Sequence, residues 1–272
     1  MKYKPFLRFL PKVGRLAIDV GILIVLGSVF FVLQHNGLVW FNMPSDRAYP
    51  IKGVDVSAHQ GRIEWETLAA QNLHFAFIKA TEGSNWVDKH FAYNFDAAQK
   101  AGLYVGAYHF FSFDSLGSTQ AANFIAQVPL LESAKILPPV VDMEFYGTKA
   151  SNPPPAKSVY KELDILLEIL ESHYGAKPII YTTPSFYDMY LRGRYEKYPL
   201  WIRSVFFAPH SFMARIFNLY FDKAHWSFWQ YNPKGVLKGY SGGERYIDLN
   251  VFNGDEKAFK KWLTQHKIRN KH

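Results

Sequence analysis

The sequence predicts an α/β barrel carried behind one N-terminal membrane-spanning helix. Three observations predict it. Short β-branched or aromatic runs alternate with helical periods through at least five rounds, the pattern of a parallel sheet with crossover helices. Eight such strands fall within about 220 residues, which fits a closed barrel better than an open doubly wound sheet. Ahead of them runs an apolar stretch from Leu16 to Leu33.

That stretch holds 18 residues, roughly 27 Å as a helix and close to the hydrocarbon thickness of a bilayer. Lys2, Lys4, Arg8, Lys12 and Arg15 precede it without an acid, so the N-terminus is predicted inside and the rest of the chain outside. Asp19 is its one charge and lies near the cytoplasmic end. Trp40 and Phe41 suit the far interface. A cleaved signal peptide is the rival reading, and it lacks a small-x-small cleavage site followed by a mature start. The predicted map is a basic cytoplasmic segment 1–15, a signal anchor 16–33, a tether 34–50, a barrel 51–266 and a basic tail 267–272.

Of the 272 residues, 49% are hydrophobic and 17% aromatic, enough for a sizeable core with rings to spare for a cleft. The net charge of +8 sits at the ends: residues 1–15 contribute +5 and residues 255–272 contribute +4, leaving about −1 for the body. A body without a basic surplus argues against a nucleic-acid partner. The chain has no Cys, so disulfides and thiolate metal sites are excluded.

In order, strands are predicted at 51–57, 75–81, 103–111, 140–145, 178–183, 200–204, 226–231 and 246–252. Helices are predicted at 63–70, 88–101, 117–128, 157–174, 185–192 and 255–266. Gly102 and Gly175 stop two of these helices. Residues 205–223 are rich in Phe and show no clear period. No nucleotide-binding glycine pattern appears.

In a parallel barrel, working groups sit at the C-terminal strand ends. The polar residues there form one set: Asp55 on the first strand, Asp142 and Glu144 on the fourth, and Asp248 on the eighth. Asp142 and Glu144 are spaced i, i+2 and so share a face. Closure makes the first and eighth strands neighbours, which brings Asp55 to Asp248. Each acid alone reads as a cap or a solvated surface group. Together they suit a reaction in which one carboxyl stays protonated while another is charged.

These residues carry a resemblance. Gly53-Val54-Asp55-Val56-Ser57-Ala58-His59-Gln60-Gly61, Phe77-Ile78-Lys79-Ala80-Thr81-Glu82-Gly83, Gly106-Ala107-Tyr108-His109-Phe110-Phe111, Val141-Asp142-Met143-Glu144, Pro199-Leu200-Trp201-Ile202, Trp229-Gln230-Tyr231 and Ile247-Asp248-Leu249-Asn250-Val251-Phe252-Asn253-Gly254 together resemble glycoside hydrolase family 25, the Chalaropsis-type lysozymes or N-acetylmuramidases. The match runs in order from about residue 51 to 265. It implies a flattened TIM-like (β/α) barrel with about five βα units and three further strands. It also implies cleavage of the β-1,4 bond between N-acetylmuramic acid and N-acetylglucosamine in peptidoglycan, without a cofactor or metal. By position, Glu144 matches the general acid, Asp142 the acid that assists the substrate acetamido group, and Asp55 and Asp248 the remaining cleft aspartates. Like-charge repulsion from the three aspartates is expected to raise the Glu144 pKa. Attack by the acetamido group and direct attack by water both remain open, and the i, i+2 spacing favours the first.

Gln60, Tyr108, Phe110, Tyr181, Trp201, Arg203, Trp229 and Tyr231 are expected to contact the substrate, with core packing the competing role for the aromatic ones. His109 lies on the opposite strand face to Tyr108 and Phe110 and is expected to be a packed histidine. After Leu200-Trp201-Ile202 the family usually continues with a small residue and an aromatic, whereas Arg203-Ser204-Val205 follows here. That cation is expected either to meet the substrate's lactyl carboxylate or stem peptide, or to narrow the cleft. Three other classes stay open: a non-catalytic glycan-binding barrel, a carboxylate-metal hydrolase using His59 and His109, and a chitinase-like barrel. The last lacks the D-x-x-D-x-D-x-E series.

Overall fold

The computed structural model describes residues 12–36, 38–40, 42–130, 135–216, 221 and 226–269. Lys2, Lys4 and Arg8 of the predicted cytoplasmic segment, Phe41, and Lys271 of the predicted tail lie outside them. The chain divides into two compact units, residues 1–41 and 42–272. The first holds helix α1 (Lys12–His35), whose Gly14–His35 stretch contains an 18-residue window of mean hydropathy 2.7 and is long and apolar enough to cross a membrane.

The second unit is a closed barrel. Strands β1 (Lys52–Val56), β2 (Phe75–Glu82), β4 (Tyr104–Phe110), β5 (Val140–Met143), β6 (Ile179–Thr182), β7 (Leu200–Arg203), β8 (Phe228–Gly235) and β9 (Ile247–Phe252) pair in the order β1-β9-β8-β7-β6-β5-β4-β2, and a β1–β2 pairing closes the ring. A two-residue strand, β3 (Trp86–Val87), hairpins onto β2 outside the ring. Five βα rounds use α2 (Trp65–Ala69), α3 (Phe91–Lys100), α4 (Gly117–Gln127), α5 (Ala156–Tyr174) and α6 (Pro184–Phe186), the last continuing as a π turn through Leu191. Three further strands follow, with the short α7 (Phe212–Ile216) between β7 and β8 and α8 (Glu256–Gln265) after β9.

One expectation fails. The barrel is not parallel throughout, because β9 runs antiparallel to both β8 and β1. The link from Gly235 to Ile247 holds no helix. A parallel return needs a crossover of a dozen or more residues, so this shorter link can only make a hairpin. Two boundaries also shift. Within the expected tether, Asn42 and Tyr49 are buried in the barrel unit, and the Asn42 amide donates to the Ser204 carbonyl at 2.9 Å. Within the expected tail, Ile268 is buried and Arg269 N donates to the Tyr174 carbonyl.

Strand alternation sorts the apolar residues into two cores. Phe75, Phe77, Val140, Ile179, Tyr181, Trp201, Phe228 and Phe252 fill the barrel interior, closed from below by Phe259 and Trp262 of α8. Asp255 caps α8 by accepting from Ala258 N at 2.8 Å. The other set packs the barrel wall against the helices; α5 supplies Val159, Leu163, Leu166, Leu167, Leu170 and Tyr174 at helical spacing. The interior is so full of rings that two inward positions carry no side chain. A Cβ at Gly53 would meet the Phe75 ring at 2.4 Å, and one at Gly106 would meet the Phe77 ring at 2.6 Å.

Candidate active site

The alternation that points Phe75, Phe77 and Trp201 inward also sets the polar rim. Going two residues up each strand from an inward ring, aliphatic side chain or glycine reaches Asp55, Lys79, Tyr108, Asp142, Tyr181, Arg203 and Gln230. Glu144 follows one residue beyond β5. On β9 the reversal puts Asp248 at the N-terminal end of the strand, which is the same rim, paired with Asp55. These residues line a cleft of about 770 Å³. A second lobe of about 440 Å³ adjoins it and shares Asp55, Ser57, His59, Tyr108, Arg203 and Asp248.

Asp55 is the centre of a built network. Its Oδ1 accepts from the Gln230 amide at 2.9 Å and from the Asn250 amide at 2.7 Å. Both amides are oriented from behind. The Tyr181 hydroxyl donates to Gln230 Oε1 at 3.0 Å, and Trp201 Nε1 donates to Asn250 Oδ1 at 2.8 Å. An indole N–H can only donate, so the Asn250 oxygen must face Trp201 and its amide hydrogens must face Asp55. Burial pushes the Asp55 carboxyl up to about 6, against the pull of Gln230, Asn250 and the Arg203 charge.

Asp142 is less well provided for. It is buried, and among the described residues its Oδ1 has no hydrogen-bond partner. Burial first, and the Glu144 charge second, hold its pKa well above the carboxylate range. Glu144 is half-buried and also raised. The main cause is burial, with Asp55 adding to it while Arg203 and Lys79 oppose. Removal from water, more than repulsion by three aspartates, is thus what favours a proton there. Asp248 is raised by burial and by Asp55.

The expected substrate contacts divide. Tyr108, Phe110, Tyr181, Trp201 and Arg203 line the cleft. Trp201 also belongs to the floor, stacked on Phe77 at 4.4 Å. Trp229 and Tyr231 do not line it. They flank the inward Gln230, so the pleat turns both to the outer wall, where Trp229 Nε1 donates to the Ser204 carbonyl at 2.8 Å and its ring meets Tyr49. Gln60 borders the second lobe, but its amide is spent on backbone: Oε1 accepts from Ser57 N and Nε2 donates to the Tyr246 carbonyl.

His109 faces outward, as its strand parity predicts. Its Nδ1 accepts from the Thr81 hydroxyl at 2.8 Å, and its Nε2 donates to Gln120 Oε1 at 3.0 Å. Burial holds its pKa down at about 4, so it is neutral. Turned away from the carboxylates, it cannot join His59 around a metal.

Several site residues escape the sequence reading. Gln230 is hidden by the aromatic pair around it. Asn250 had a readable signal, its i, i+2 spacing from Asp248. Lys79 had another, the same spacing from Phe77. Asp88 had none: it pins the loop after β1 from a distant turn, accepting from Ala58 N at 2.6 Å and from His90 N at 2.8 Å.

A closed barrel with Asp55, Asp142, Glu144 and Asp248 turned into one cleft is an arrangement suited to a glycoside hydrolase. The family model described as glycosyl hydrolases family 25 matches residues 54–240, and the chain belongs to that family. Among solved structures, a family 25 glycosyl hydrolase from Bacillus anthracis is similar with a TM-score of 0.72 at 50% identity, over 81% of this chain and 96% of that one. A bacterial lysozyme from Streptomyces coelicolor gives 0.65 at 29% identity, over 77% and 95%. Lysozyme M1 of Streptomyces globisporus is 30% identical over 75% of this chain and 68% of its own length.

Proposed function

We infer that the barrel hydrolyses peptidoglycan as an N-acetylmuramidase, cutting the β-1,4 bond between N-acetylmuramic acid and N-acetylglucosamine. The observation that carries this is the Asp142–Glu144 pair, turned into one cleft from one strand end, with an unpartnered buried oxygen on Asp142. The names of the similar proteins, lysozyme among them, support the same substrate. Glu144 gives its proton to the leaving glycosidic oxygen. Asp142, ionised once the pair holds a single proton, accepts the N–H of the substrate acetamido group. Its negative charge then steadies that group as the carbonyl oxygen attacks C1. Asp55 lines the opposite wall beside Asp248 and supplies negative charge to the oxocarbenium-like state.

Helix α1 serves as a signal anchor that leaves the barrel outside the cytoplasm, consistent with the basic residues before it and the wall as substrate. The test uses the full-length protein in detergent, wild type beside Glu144→Gln, with insoluble peptidoglycan. Released muropeptides are reduced and read by mass spectrometry. New reducing-end muramic acid from the wild type alone is expected. Binding without release by both proteins overturns the reading.

A further inference from the structure

Two cations face the cleft from inward strand positions, and they differ in what they meet. Lys79 is engaged: its Nζ lies 2.7 Å from Glu82 and above the rings of Phe110 and Trp86. Arg203 is not. Among the described residues its side chain takes part in no ion pair, hydrogen bond or ring contact, although its charge reaches Asp55, Glu144 and Asp248. Asp55 already accepts from Gln230 and Asn250, and among the described residues no cleft carboxyl lies within ion-pair distance of the Arg203 guanidinium.

A guanidinium presents five N–H donors in a rigid fork that matches a carboxylate in two-point contact. Its donors open to the cleft and have no fixed acceptor among the described residues, so they can take one that arrives from outside. Place strengthens the point. Arg203 lies in the wall shared by the main cleft and the second lobe, so it meets a group that leaves the glycan strand sideways. In a strand of alternating sugars, muramic acid alone has such a branch, the lactyl ether with or without its peptide.

We propose that Arg203 binds a carboxylate on the muramyl branch and thereby places muramic acid, in preference to N-acetylglucosamine, against Glu144. This rests on the muramidase reading and adds to it a residue that selects the sugar. The carboxylate comes from a free lactyl group where the peptide has been removed, or from the stem peptide where it has not.

The test measures binding to full-length Glu144→Gln, with and without Arg203→Met. The probes are a tetrasaccharide of alternating N-acetylglucosamine and N-acetylmuramic acid with free lactyl carboxylates, its lactyl methylamide, and the same saccharide bearing stem peptides. One carboxylate-bearing probe is expected to bind ~10- to 100-fold more tightly than the methylamide, the range of a charge-assisted two-point contact. Arg203→Met should erase that margin. Preference for the free lactyl probe names the lactyl group as the source, and preference for the peptide-bearing probe names the peptide. Equal binding of all three, or a margin that survives Arg203→Met, overturns the proposal.

Turnover separates recognition from an effect on the acids. With Glu144 intact, Arg203→Met should raise KM on peptidoglycan and leave kcat within about threefold. A fall in kcat with a displaced pH profile and unchanged KM overturns the proposal, since Arg203 would then act only on the catalytic carboxyls. If the wild type releases no reducing-end muramic acid, the muramidase reading fails and this inference falls with it. An active wild type without carboxylate preference sinks this inference alone.

Discussion

Asp55 and Asp248 stand directly opposite each other in the antiparallel β1–β9 pair that closes the barrel. Directly opposed residues share a sheet face, and like charges there repel. The register therefore forces two carboxyls together, and the surroundings decide which keeps a proton. Asp55 accepts from two oriented amides, while no such donor reaches the Asp248 carboxyl among the described residues. The surroundings accordingly favour the charge on Asp55, while burial and the Asp55 charge push the Asp248 carboxyl well above the usual range.

The two acids should respond asymmetrically to substitution. Asp55→Asn removes a charge that raises Asp248, so Asp248 should ionise at lower pH. Asp248→Asn should leave Asp55 near 6, because burial sets that value. Carboxyl carbon-13 titrations read both, and a large fall of Asp55 in the second variant would count against this assignment.

The cleft acids should cost the fold stability near neutral pH. A carboxyl raised on folding binds more protons folded than unfolded, so its contribution falls as pH rises through the window between the two values. For Asp55 that window is about pH 4 to 6. Asp142→Asn removes the burial of an ionisable group and should raise Tm at pH 7 by about 2–6 °C. Activity should drop by roughly 100-fold or more. A lower Tm in this variant would mean that Asp142 has a partner in the fold.

His109 should produce the opposite slope. Its pKa is depressed on folding to about 4, so its contribution is present above pH 6.5 and lost as pH falls toward 4. The full span is on the order of 3 kcal/mol. His109→Gln should flatten that part of a Tm-against-pH curve and leave kcat/KM within about twofold. Lost activity in a folded variant would return His109 to the chemistry.

Trp229 should matter to the fold and not to the substrate. Trp229→Ala opens a hole between β8 and the 42–50 segment and should cost about 3–5 kcal/mol in urea unfolding. KM of the surviving folded protein should not move, whereas Trp201→Ala should change both. A selective KM effect at Trp229 would place its ring in the cleft after all.

How legible the site was depended on which face each strand shows. The i, i+2 acids needed only the pleat, and His109 was read correctly from its parity against Tyr108 and Phe110. Trp229-Gln230-Tyr231 is ambiguous in sequence because aromatic rings suit either face of a barrel wall. Only the neighbouring strand, through the Arg203–Gln230 register, shows which one turns inward.

The chain by itself determined the eight-stranded α/β barrel, the apolar N-terminal helix, and the four carboxylates, since these follow from local periodicity and from spacing along single strands. The tertiary structure alone decided that the last strand runs backwards, that Gln230 and Asn250 present their amide hydrogens to Asp55, and that Arg203 meets no acceptor among the described residues. The physical reason is common to all three. Strand direction, amide orientation and burial are set by groups far apart in sequence, which become neighbours only when the barrel closes.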